Sequence, residues 1–192
     1  VIASIAVASV IPFLKGRRLA AATRSIQAAV LRARGYAATN RTSATLKVFP
    51  GYDKLVVYET ELAARTASSP DSHKGQRVME PISVPEAINF WTGNGKGNYV
   101  PLGASPTPDG VVRLKTAADG FPAVQNGEPV LINSAPNSNA TDRLVFHPSG
   151  SLDPDGMGGT TANWFIVVEN QQGTKTAVEI IFSTGMIRIH QL

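Results

Sequence analysis

The sequence predicts an α+β protein, with one long N-terminal α-helix packed on a C-terminal antiparallel β domain, divided as residues 1–40 and 41–192. Two observations carry this. The apolar pattern changes near Asn40 from recurrences of three and four residues to simple alternation, which is the change from helix to strand. The 17 glycines and 13 prolines concentrate after residue 50, where they punctuate short apolar runs. At 192 residues, 43% hydrophobic and 17% charged, the chain can bury a core and is too apolar for global disorder.

The helix has two parts. Val1 to Leu14, VIASIAVASVIPFL, holds no charge. There Val1, Ile2, Ile5, Val7, Val10, Ile11, Pro12, Phe13 and Leu14 make every side apolar. Fourteen helical residues span about 21 Å, short of the roughly 30 Å hydrocarbon core of a bilayer. No basic region precedes the stretch, no Ala-x-Ala site follows it and it does not begin with Met, so its start is expected to have been removed. Pro12 withholds a backbone donor and crowds the preceding turn, which predicts a kink or a melted stretch.

Beyond it the pattern is amphipathic. Leu19, Ala22, Ile26, Ala29, Val30, Ala33 and Ala37 share one face, and most of the arginines fall elsewhere. Leu19, Ala22, Ile26, Val30 and Ala33 are the expected contacts with the β domain. The helix should end between Gly35 and Asn40.

Strands are expected at Ala44–Phe49, Leu55–Tyr58, Val111–Lys115, Pro129–Ile132, Arg143–Phe146, Trp164–Val168, Ala177–Phe182 and Met186–Ile189. Turns fall at Pro50-Gly51 and Ser183-Thr184-Gly185, and two stretches read as long loops, Ala63–Arg77 and Thr92–Gly110.

Charge is divided unevenly. Residues 1–50 hold eight bases (Lys15, Arg17, Arg18, Arg24, Arg32, Arg34, Arg41 and Lys47) and no acid. The first acid is Asp53, leaving ten bases against fourteen acids beyond residue 50, a net of −4. The basic segment reads either as a solvated helix or as one facing anionic lipid, nucleic acid or acidic surfaces of neighbouring copies.

Reactive chemistry is sparse. The absence of cysteine excludes thiol catalysis and disulfides. His73, His147 and His190 lie in separate contexts without metal-ligand spacing. Neither a Gly-x-Ser-x-Gly elbow, a His-Glu-x-x-His motif nor a phosphate loop is present, and the Gly-rich Thr92–Gly97 reads as a plain loop. Asp153 and Asp155 beside Gly156 could serve Ca²⁺, but they depart from the EF-hand pattern and lack its closing Glu. The expectation is a protein without enzymatic activity, cofactor or metal.

Three stretches resemble a known family. A helix that is apolar then amphipathic, with a proline at the change, followed by a β domain, resembles type IV pilins. The helix end AAVLRARGYAATNRTSATLKVF, the strand-and-turn LVFHPSGSLD (residues 144–153) and the closing IIFSTGMIRI (residues 180–189) are similar to the GspH/FimT-like minor pseudopilins. Residues 60–140 carry no such likeness. The resemblance implies a pilin-like fold and a structural subunit of a type II secretion pseudopilus or a type IV pilus. Its partners would be other pseudopilins or pilins. It would sit in the bacterial inner membrane through its N-terminal helix, with the body in the periplasm, before entering a filament. The family's Gly-Phe-Thr-Leu-x-Glu cleavage region is absent, which implies missing residues ahead of Val1, and the acid near the family's mature N-terminus has no counterpart to assign. The alternative implied by FimT-like relatives is a DNA-binding minor pilin. In those relatives a C-terminal Gly-Arg-x-Arg tail binds DNA; here Gly185-Met186-Ile187-Arg188 replaces the first arginine, leaving Arg188 and His190 for weak contacts.

Overall fold

The computed structural model describes residues 2–91, 110–132, 140–153 and 161–192, with side chains from residue 16 onward except at residue 140. Helix α1 (Ile2–Asn40) runs for 39 residues. Its backbone stays helical through Pro12, so the melted stretch expected there is absent. One missing donor is outweighed by the Ala, Val, Ile and Leu residues on either side, which favour or tolerate helix. The helix ends inside the expected window. Arg41 turns left-handed (φ 53°), and the Thr42 amide donates back to the Ala37 carbonyl at 3.3 Å.

The chain then forms β1 (Ala44–Phe49), β2 (Lys54–Tyr58), a short helix α2 (Glu61–Thr66), β3 (Ile82–Ser83) and β4 (Ile88–Trp91). After residue 110 come β5 (Val111–Val112), β6 (Val124–Gln125), β7 (Glu128–Pro129), β8 (Ala140–Thr141) and β9 (Arg143–Phe146). Strands β10 (Trp164–Asn170), β11 (Lys175–Ile180) and β12 (Ile187–Gln191) close it. One sheet has the order β3-β2-β1-β9; the other runs β12-β11-β10-β5-β8, with β4 also paired to β10. Every pairing among the described residues is antiparallel. The chain passes from the second sheet to the first at Asp142, whose carbonyl accepts from the Val48 amide at 2.8 Å.

Three expectations need correction. Ala63–Arg77 is not a structureless loop, because α2 and a 3₁₀ turn at Lys74–Gln76 lie in or beside it. Thr60 caps α2 by accepting from the Ala63 amide, and Ala63 and Ala64 bury against Phe49, Val56 and Tyr58. Strands β3 and β4 are absent from the sequence reading, being too short or too mixed to show a period. The strands expected at Val111–Lys115 and Pro129–Ile132 shorten to two-residue pieces joined by a Leu114–Leu131 bridge. The Gly-rich stretch Thr92–Gly97 lies outside the described residues.

The core lies between α1 and both sheets. Ala44, Leu46, Val48, Leu55 and Val57 face the helix from one sheet, and Trp164, Ile166, Val168, Val178 and Ile180 face it from the other. Alternate residues point away, yet all six residues of β1 are buried. The reason is a second layer: α2 covers the outer face of the first sheet, and residues 113–132 fold over that of the second. Ile26 is fully buried where α1 meets the sheets. Ile26→Asp puts an unpaired charge there and is expected to cost about 3–5 kcal/mol, read as a collapse of the melting transition by circular dichroism. An unchanged Tm would show that this face does not meet the sheets.

Candidate functional site

The candidate site is α1 itself, together with the seat that holds it. Leu19, Ala22, Ile26, Val30 and Ala33 are all buried, as are Ala29 and Ala37. Thr23 lies within the same stripe and satisfies its hydroxyl by donating to the Leu19 carbonyl at 2.9 Å. Small residues dominate the row, so helix and sheets approach closely, and Leu19, Ile26 and Val30 supply most of the bulk.

Near its C-terminal end the helix is gripped by two turns. Gly150 (φ 85°) closes the turn after β9, and Gly185 (φ 63°) closes the turn before β12. A Cβ on Gly185 would run into the Gly150 carbonyl oxygen and come within 3.3 Å of Arg34 Cδ; one on Gly150 would lie 3.0 Å from Arg34 Nε. The two turns therefore touch each other and close on the Arg34 side chain. These are the turns of LVFHPSGSLD and IIFSTGMIRI, far apart in sequence and adjacent here. Leu152 links the sheets at the same place, bridging Phe146 and donating its amide to the Phe182 carbonyl at 2.9 Å.

Outside the stripe α1 is open. Arg17, Arg18, Arg24, Arg32 and Arg41 are exposed. Leu31 is 55% exposed. A groove of about 460 Å³ separates α1 from the end of β11 and β12, with Leu19, Ala20 and Thr23 on one wall and Thr176 and Ile189 on the other. A second, about 650 Å³, lies along Leu31, Gly35, Tyr36 and Val78. Among the described residues no helix is long and apolar enough to cross a membrane.

The other residues marked in the sequence fall into structural settings. Lys47, counted above within a basic outward segment, is a correction: it is 4% exposed and points under α2. Its Nζ donates to the Ala64 and Ala67 carbonyls, both at 2.9 Å, and pairs with Asp142 at 2.8 Å. A cation at a helix C-terminus meets orphan carbonyls and the negative end of the helix dipole. His190 is 7% exposed; its Nε2 lies 2.8 Å from Glu179 Oε2, and Glu179 Oε1 accepts from Asn163 Nδ2 at 2.7 Å. Phe121 packs edge-on against the ring. This buried pair joins β11 to β12 and lines neither groove beside α1. His190 is thus unavailable to a phosphate, while Arg188 is exposed on β12. His73 and His147 bond to Thr66 and Ser149 on the surface. Among the described residues no three His, Asp or Glu side chains converge as metal ligands, and Asp155 lies outside those residues.

Sequence reasoning missed the Arg34 grip and the buried Lys47. The only sequence signals were two glycines after polar turn residues and a lysine inside a β run. The sequence matches no protein-family model and no curated protein. Among solved structures it is similar to the type IV minor pilin FimU of Pseudomonas aeruginosa, at 10% identity and a TM-score of 0.48 over 93% of this chain and 92% of that one. It is also similar to the minor pseudopilin EpsH from the Type 2 Secretion System of Vibrio cholerae, at 9% identity and a TM-score of 0.46 over 91% of this chain and 97% of that one. Function is therefore read from this chain's own residues.

Gly185→Ala forces both a left-handed backbone and a clash with Gly150, and is expected to destabilise by about 2–4 kcal/mol in a denaturant melt. Wild-type stability in that variant would show that the two turns do not grip the helix. With His190 turned inward, any binding to DNA is expected to be weak, salt-sensitive and lost in Arg188→Ala. Tight binding at physiological salt in a filter assay would contradict this.

Proposed function

We propose that this chain is a structural subunit of a pilin-like filament, a minor pseudopilin or minor pilin, which assembles through α1 and catalyses no reaction. The observation that supports this best is the uncharged, apolar run Val1 to Leu14 at the start of a 39-residue helix whose later part, from Leu19 to Ala37, carries the buried stripe that holds the body. Large apolar side chains of the kind this run carries gain about 1.5–3 kcal/mol each on burial, so such a helix requires lipid or sister helices around it.

In this reading residues 1–40 are the assembly helix and residues 41–192 the body. Val1, Ile2, Ile5, Val7, Val10, Ile11, Pro12, Phe13 and Leu14 first anchor the chain in the bacterial inner membrane as a single pass, with the body in the periplasm. The same residues later enter the helical core of the filament among other pilins or pseudopilins. Lys15, Arg17 and Arg18 follow directly and suit an anionic membrane surface. Leu19, Ala22, Ile26, Val30 and Ala33 hold the body to the helix through both stages.

Deletion of Val1–Leu14 tests this. The truncated protein is expected to keep its melting temperature and become monomeric and freely soluble. It should also disappear from the membrane fraction and from filaments. Unfolding on truncation would place the segment in the body's core and remove the main support for a filament subunit.

A further inference from the structure

We infer that the outward face of α1 docks on an acid-bearing helix of a neighbouring filament subunit, and not on the same face of a second copy. This rests on the filament reading above. Opposite the buried stripe stand Arg24, Ala28, Leu31, Gly35 and Ala38, separated alternately by four and three residues. That is the spacing at which one row of a helix meets another helix along a shared seam. All five are exposed, Leu31 to 55%. Around Gly35 nothing lies within 4 Å of where a Cβ would stand, so a partner backbone can come close. Arg32 borders the same row.

Charge selects the occupant. No acidic residue occurs anywhere in α1, and among the described residues neither Arg24 nor Arg32 stands in an ion pair. Two copies meeting through this face would set arginine against arginine with no carboxylate to offset them. Among the described residues a second copy's exposed acids, Asp71, Glu80, Glu86 and Asp119, stand singly in turns and bends, so none offers a helical row of carboxylates. An anionic lipid surface would satisfy the arginines but leaves unexplained the row of small residues with Leu31 standing among them. A helix with Asp or Glu at heptad spacing, interleaved with larger apolar residues, satisfies both.

The test uses the full chain in neutral detergent micelles and three probes. These are a synthetic Leu/Ala helix carrying Glu at heptad positions, the same helix carrying Lys, and phosphatidylglycerol vesicles. By fluorescence anisotropy the Glu helix is expected to bind and to weaken as salt rises. The variant R24E/R32E, whose sites are exposed and whose Tm should not move, is expected to lose about tenfold in affinity for the Glu helix and to gain binding of the Lys helix. Because the chain has no cysteine, Leu31→Cys is a single cross-linking site. It should couple to a Glu helix bearing a cysteine and not to a second copy. Equal binding of the two helices, indifference to the charge reversal, efficient Leu31→Cys homodimers, or a response to vesicles alone would each overturn the proposal. The probes read this face, whereas the Val1–Leu14 truncation reads the assembly segment, so the two readings can fail separately.

Discussion

The fold depends on one apolar stripe being shared by two sheets. Neither sheet packs on the other across a broad face. Each turns its inner residues toward α1, so Leu46 and Val57 from one side and Ile166 and Val178 from the other meet around the same Ala and Ile row. Remove the helix and both inner faces lose their cover together. This is why the row is built from small residues with Ile26 and Val30 between them: two pleated surfaces can close on a narrow helix only where side chains leave room. The glycine turns at 150 and 185 follow from the same demand. There the turn after β9 meets the turn before β12, and Arg34 fills the space that their missing side chains leave.

The outer faces are held by a different device, used twice. On the first sheet, Lys47 reaches from β1 to the last carbonyls of α2 and to Asp142. On the second, Lys175 reaches from β11 to Glu128 at 3.1 Å and to Glu169 at 3.4 Å, with Glu128 also accepting from Trp91 Nε1 at 2.9 Å. Each cover is an apolar patch too small to fix its own position. In each case one buried ammonium with several acceptors specifies where it sits. Removing either partner alone would leave a buried charge unmatched, which costs far more than the pair contributes.

What the sequence revealed and what it hid follow from this plan. The stripe was legible because a 3.6-residue period over some twenty residues is hard to mistake. Strand β10 was legible because β-branched and aromatic residues run uninterrupted from Trp164 to Val168, and β1 and β9 because their short, mainly apolar runs are bounded by turn residues. Helix α2 was not, since its six residues hold less than two turns of pattern and its stability comes from Thr60, Lys47 and the aromatic surface beneath. Nor could alternation in β1 reveal that both its faces are buried, because Lys47 reads as solvent-facing until its three partners are in place. Within the candidate site, the residues that touch the sheets could be listed from periodicity. The Arg34 grip depends on two turns that each carry a glycine after polar residues but nothing to say that they meet, and His190 at the chain's end gave no hint that it faces inward.

The seating of α1 has a mechanical consequence. A pull along the helix axis is resisted by every contact from Leu19 to Ala37 at once, because the stripe runs parallel to the load and would have to slide as a block. A pull across the axis could peel those contacts one by one. The Arg34 grip sits near the end of the stripe farthest from Val1, where it acts as a stop against axial sliding. The body is thus hung from its helix in shear, the geometry in which many weak contacts share one tension.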